Sequence, residues 1–171
     1  MDKGSKFGRV RDALLIGAFA CGALPLAGQA SWPIHSTAKD KQAVEYLFPE
    51  QITVPAGKVS SVNLHFRVNQ GLHINSHAPK EEYLIPTVFS IPEESGVRLD
   101  GASYPAGTEI TLPIDPSEKL IVYSGEFTIQ ARIVATPGDH LVEAKLRYQA
   151  CDQNACMPPK TISVAIDVLG K

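Results

Sequence analysis

No segment of the 171 residues sustains a helical period, none repeats, and no low-complexity linker divides the chain. Long helices, repeat arrays and a multidomain layout are therefore excluded as expectations. Aromatic residues make up only 7%, against thirteen glycines and thirteen prolines, a balance that favours many turns and short elements. No Lys/Arg cluster stands out in the body of the chain, and 16 basic against 18 acidic residues leave a net charge of −2, so an electrostatic grip on nucleic acid has no basis. Nor is there a phosphate loop, a dinucleotide fingerprint, a zinc-protease helix or a nucleophile elbow, which removes hydrolase readings. What is present is 44% hydrophobic residues, enough to bury one domain's core.

The first thirty residues differ from the rest. Lys3, Lys6, Arg9 and Arg11 precede an apolar run from Ala13 to Ala27, followed by the small-residue site Gly28-Gln29-Ala30. Basic head, apolar middle and small residues are the parts of a secretory signal. The run is broken by Gly17, Gly22 and Pro25 and falls short of the roughly 20 residues needed to span a bilayer. We therefore expect a signal peptide at 1–30, a loose lead-in at 31–42, one domain at 43–171, and no membrane span after the signal is removed. A lipoprotein anchored at Cys21 is the minor alternative, although Phe19 fits a lipidation site poorly. Without the leader, 12 basic face 16 acidic residues, and three cysteines become the pair Cys151 and Cys156 in a compartment where disulfides persist.

Beyond Val44 the chain reads as short strands between turn residues. In Val59–Val68, Val62, Leu64, Phe66 and Val68 fall on one face and Asn63, His65 and Arg67 on the other. The same period of two returns in Phe127–Ile133, Leu141–Tyr148 and Thr161–Val168. Weaker candidates are Glu45–Phe48, Gln51–Val54, Thr87–Ile91, Val97–Leu99 and Leu120–Tyr123. Seven to nine strands of this kind predict an all-β, immunoglobulin-like antiparallel β-sandwich.

The cysteines lie in Tyr148-Gln149-Ala150-Cys151-Asp152-Gln153-Asn154-Ala155-Cys156-Met157-Pro158-Pro159, between two good strands. Their spacing is compatible with a disulfide closing a tight turn, if the Cα atoms come within about 7 Å. A bridge over so short a loop contributes only about 2 kcal/mol on the chain-entropy account, so it is poorly placed as a staple. As a redox pair it is well placed, because a turn at a sheet edge is open to another protein's thiolate. Both readings stand on spacing alone.

The segment YQACDQNACMPP resembles the cysteine motif of the amino-terminal periplasmic domains of DsbD-type thiol:disulfide interchange proteins. Gln70–Ser76 and Tyr123-Ser124-Gly125-Glu126-Phe127 are similar to two further stretches of that family, and the likeness covers roughly residues 43–169. The resemblance implies a stand-alone, exported domain whose Cys151–Cys156 pair passes electrons between a thioredoxin-like or membrane-embedded donor and oxidised periplasmic proteins. It favours Cys151 as the cysteine joined to partners. It also implies that His73 and Asn75 lie near the pair and that the loop around Tyr104 covers it. The chain departs from the family pattern in having one residue fewer between the cysteines, in carrying His73 and Asn75 where tyrosines are found, and in ending at Lys171, so that its partner would be a separate chain.

Tyr148 and Asp152 complete the expected neighbourhood. Of the carboxylates, Asp152, Glu109 and Glu126 are candidates for taking a proton from a thiol. His73 beside the cysteines would favour a thiolate by charge or hydrogen bonding. His73, His77 and two thiolates could in principle form a soft-metal set, but histidines four apart are usually surface residues, and neither metal nor cofactor is assigned. The alternative from another class is a non-catalytic periplasmic binding module with a structural disulfide. The leader reading has a direct check: mass spectrometry of the exported protein should find a soluble form starting near Ser31, and an intact amino terminus or a lipid on Cys21 would refute it.

Overall fold

A computed structural model describes residues 42–47, 51–113 and 115–171; the expected signal peptide, Cys21 and nearly all of the lead-in lie outside them. The described residues hold strands β1 (Val44–Leu47), β2 (Gln51–Val54), β3 (Ser60–Val68), β4 (His73–Asn75), β5 (Val88–Ser90), β6 (Val97–Ser103), β7 (Thr108–Leu112), β8 (Asp115–Tyr123), β9 (Glu126–Ala135), β10 (Gly138–Tyr148), β11 (Ala150–Cys151) and β12 (Lys160–Gly170). One 3₁₀ turn, Glu93–Ser95, is the only helical element among them.

Two four-stranded sheets, β1-β3-β9-β6 and β2-β12-β10-β5, bury their inner faces in one core. Alternation in sequence becomes alternation in burial. Along β3, Val62, Leu64, Phe66 and Val68 are buried, as are Phe127, Ile129, Ala131 and Ile133 along β9. β10 and β12 form an eleven-pair antiparallel ladder from Gly138↔Gly170 to Tyr148↔Lys160. The first two described strands divide between the sheets, β1 pairing antiparallel with β3 and β2 parallel with β12. Two face-to-face sheets with a first strand shared in this way make the fold an immunoglobulin-like sandwich.

A third sheet, β11-β4-β8-β7, was not expected from periodicity. It begins where the sandwich strands overrun. β8 enters β9 through the two-residue turn Ser124-Gly125, with Gly125 at φ 61°, and β10 passes through Gln149 into β11. Thus the strand holding the first cysteine continues the longest ladder of the core. Leu84, Leu120 and Val122 form a small second cluster on this sheet.

Burial makes a sharp contrast testable. Leu64→Ala on β3, where the side chain is fully buried, should cost about 2–5 kcal/mol of unfolding free energy. Lys145→Ala on the exposed face of β10 should stay within about 0.5 kcal/mol. Urea titration of the two variants checks both.

Candidate functional site

Cys151 and Cys156 are joined by a disulfide with S–S 2.07 Å and Cα atoms 3.9 Å apart, and their backbones also form an isolated antiparallel bridge. The two ends differ. Cys151 is 1% exposed, whereas Cys156 lies in the continuous exposed run from Gln153 to Pro159.

The intervening loop is built by Asp152. Its Oδ1 accepts the N–H groups of Asn154 (2.7 Å) and Ala155 (2.8 Å), and its own N–H donates to the Ala155 carbonyl (3.0 Å). These backbone donors stabilise the carboxylate and hold its pKa below the usual 3.8, with a smaller contribution from His73. Asp152 is thus a turn-forming anion rather than a proton acceptor. Past the loop, the Met157 N–H returns to the Ala150 carbonyl at 2.8 Å, and Pro158 and Pro159 follow with no N–H to offer.

On the other side, β11 pairs with β4, and His73 is the direct cross-strand partner of Cys151. Directly opposed residues share a sheet face. His73 is 8% exposed, and its Nε2 is buried with no hydrogen-bond partner. Burial pushes its pKa below 6.5, opposed by Asp152, so the ring is neutral at pH 7. Its influence on a thiolate is therefore that of a dipole and an N–H, not of a positive charge.

Asn75 is 1% exposed and donates from Nδ2 to the Ile85 carbonyl (3.1 Å) and to Gln149 Oε1 (3.3 Å); its backbone carbonyl accepts from Thr87 Oγ1 (2.6 Å). Gln149 Nε2 in turn donates to the Met157 carbonyl at 3.2 Å. Gln149 and Thr87 were not singled out from sequence. Gln149 stood inside the cysteine motif, two residues before Cys151, and that position was the available signal.

Tyr148, wholly buried, ends β10. Tyr104 makes different contacts from those expected of a cap: its hydroxyl accepts the Phe89 N–H (2.9 Å) and its ring stacks on His77 (3.8 Å between centroids, 2° between planes). The following loop is fixed by Tyr123, whose hydroxyl accepts the His77 N–H and donates to the Pro105 carbonyl. Gly107, at φ 76°, lets this loop lie on β8, where a Cβ would come within 2.8 Å of Ile121 Cγ2. These contacts tie the Tyr104 loop to Phe89 of β5 and to His77, two residues past β4.

Glu109 is held by Lys80 and Lys119, and Glu126 by Arg67, so both are committed to surface ion pairs. His77 Nδ1 bonds the Thr87 carbonyl, and among the described residues no three His, Cys, Asp or Glu side chains converge on a metal position.

The family model for the N-terminal domain of the thiol:disulfide interchange protein DsbD matches residues 28–167. No curated protein matches significantly. Among solved structures, the reduced DsbD N-terminal domain of Neisseria meningitidis is similar, at 20% identity and a TM-score of 0.46, over 67% of this chain and 82% of that one.

The loop's dependence on one carboxylate gives a pH signature. Because the folded pKa is depressed, the stabilisation by Asp152 is present above 3.8 and is lost as pH falls through the lower folded value. Asp152→Ala should therefore lower the urea midpoint at pH 7, and Asp152→Asn, which keeps an acceptor oxygen but not the charge, should lower it less; the gap between the parent and Asp152→Asn should close well below pH 3.8, where the parent's carboxyl is neutral too.

Proposed function

Since the chain belongs to the family of DsbD N-terminal domains, in which a cysteine pair carries thiol–disulfide exchange, we propose that it is a periplasmic exchange domain working through Cys151 and Cys156. The observation that carries this reading is the asymmetry of the bridge, one sulfur buried and the other at the surface. A partner's thiolate approaching from solvent attacks the Cys156 sulfur, forming a mixed disulfide and expelling Cys151 as a thiolate beside His73. A second thiolate from the partner then attacks the mixed disulfide, releasing Cys156 and leaving this domain reduced and the partner oxidised. In the reverse sense, the Cys156 thiolate attacks an oxidised client and Cys151 resolves the mixed disulfide. This assigns partner contact to Cys156, opposite to the weak preference for Cys151 taken from the resemblance, and the reason is access.

A neutral His73 suits the role. A thiolate confined among apolar groups is costly, and an imidazole N–H within reach lowers that cost without a permanent buried charge. Asn75 and Asp152 hold the surrounding backbone, Tyr148 ends β10 inside the core, and Tyr104 braces the neighbouring loop.

The donor is a thioredoxin-like or membrane-embedded protein and the clients are oxidised periplasmic proteins, on the strength of the family alone. We take 43–171 as the working domain, preceded by a cleaved leader. Among the described residues no helix is long and apolar enough to cross a membrane. The competing reading, a structural disulfide in a binding module, is disfavoured by the loop itself, whose hydrogen bonds to Asp152, Ala150 and Gln149 hold it without a covalent bridge.

Trapping separates the two cysteines. Cys151→Ser should form a mixed disulfide with glutathione at Cys156, and the free Cys156 thiol should react with a thiol reagent more than about tenfold faster than the Cys151 thiol left in Cys156→Ser. Both variants should remain folded, since the bridge contributes only about 2 kcal/mol. A reduction potential below about −300 mV, or unfolding of either variant, would favour the structural bridge.

A further inference from the structure

We propose that Gln149, oriented by Asn75, is a positioning residue that fastens the Cys156 end of the pair to the sheet while the disulfide is open. The proposal rests on the exchange function argued above.

Opening the bridge removes the direct link between the Cys151 and Cys156 side chains and leaves only the main-chain loop to join them. If the exposed end then swung away, the resolving attack would have to wait for a chance encounter. The step that must stay fast is intramolecular: the Cys151 thiolate attacks Cys156 in the mixed disulfide, the Sγ151–Sγ156 bond forms, the Sγ156–partner sulfur bond breaks, and the partner leaves as a thiolate. This domain's pair is thereby oxidised and the partner reduced. Its rate depends on the effective concentration of one sulfur at the other, which is set by how rigidly both are held.

Cys151 is held by β11 and its pairing to β4. Cys156 is exposed and belongs to no strand, but the next residue is tied at both of its backbone groups. The Met157 N–H reaches the Ala150 carbonyl at 2.8 Å, and its carbonyl receives Gln149 Nε2 at 3.2 Å. Neither bond involves sulfur, so neither is broken by reduction.

An amide can present either its oxygen or its nitrogen, and only the nitrogen end suits the Met157 carbonyl. Asn75 makes the choice. Its Nδ2 donates to both the Ile85 carbonyl and Gln149 Oε1, which turns the Gln149 N–H groups toward Met157. Asn75 is itself fixed, being 1% exposed, with its backbone carbonyl accepting from Thr87 Oγ1. The chain Thr87–Asn75–Gln149–Met157 thus carries the rigidity of the sheet out to the residue beside the exposed cysteine.

The test compares Gln149→Glu, which keeps size and shape but places an acceptor against the Met157 carbonyl, with Gln149→Leu, which removes the polar group. Each is equilibrated in glutathione buffers for its potential, and the decay of the glutathione mixed disulfide at Cys156 is followed in time. The effect of one ordinary hydrogen bond, about tenfold, is expected in each variant. The mixed disulfide should persist about tenfold longer and the potential should rise by about 30 mV. Amide exchange at the Met157 N–H should quicken in the reduced variants and stay slow in the oxidised ones, a redox-dependent difference that a purely structural role would not produce. Folded variants with parental potential, mixed-disulfide lifetime and exchange would overturn the clamp. Gln149 is partly exposed, so Gln149→Leu is expected to fold; should it not, Gln149→Glu decides by the same three readings. If the parent protein itself fails to exchange with glutathione, the exchange function fails, and the clamp with it.

Discussion

The short antiparallel pairing of β11 with β4 is the constraint on which the site depends. Only two residue pairs are involved, Ala150↔Ile74 and Cys151↔His73, yet they set the depth of one sulfur and leave the other at the surface. Such a short ladder would not hold by itself. It persists because β11 continues from β10, itself locked into the eleven-pair ladder with β12, and because β4 is flanked by β8. The sandwich is thus a rigid mount, and the third sheet extends from it to carry the cysteines.

Polar groups in that third sheet divide into two systems. Asp152 organises the loop between the cysteines from within, using its carboxylate against two backbone N–H groups. Asn75 and Gln149 secure the far end from outside, using amides that no change of pH within the stable range would alter. His73, the cross-strand partner of Cys151, is a group able to change protonation, and burial lowers its pKa and keeps it neutral at pH 7. Asp152, half-buried, thus places a carboxylate between the cysteines, and the amide contacts beside it are dipolar.

Much of the sandwich was legible because half-buried strands write their burial into the sequence with a period of two. β3, β9, β10 and β12 were evident for that reason, and their limits differ from expectation by one to three residues. β2 coincides with its expected span, whereas β6 and β8 run further than their apolar cores suggested. β4 was invisible: His73, Ile74 and Asn75 are all buried, so there is no alternation to read. β7, Thr108–Leu112, spans only five residues directly after Pro105-Ala106-Gly107, too few for a clear period beside a turn, and β11 is shorter still. The cysteine pair could be named from its motif, but the difference in exposure between its two sulfurs arises from strand pairing at a distance. The same is true of Tyr104, whose partners Phe89 and His77 come from other parts of the chain.

The segment Met157-Pro158-Pro159 has a further consequence. A sheet edge with free N–H groups invites another strand, and an edge that also carries an accessible sulfur would invite a covalent dimer. Here the Met157 N–H is already used by Ala150, and the two prolines have none. Two copies meeting edge to edge therefore find no ladder to extend along this stretch. The exposed cysteine thus stands beside a stretch that offers no backbone donor, and a chain laid along it meets side chains and carbonyls instead of a waiting ladder.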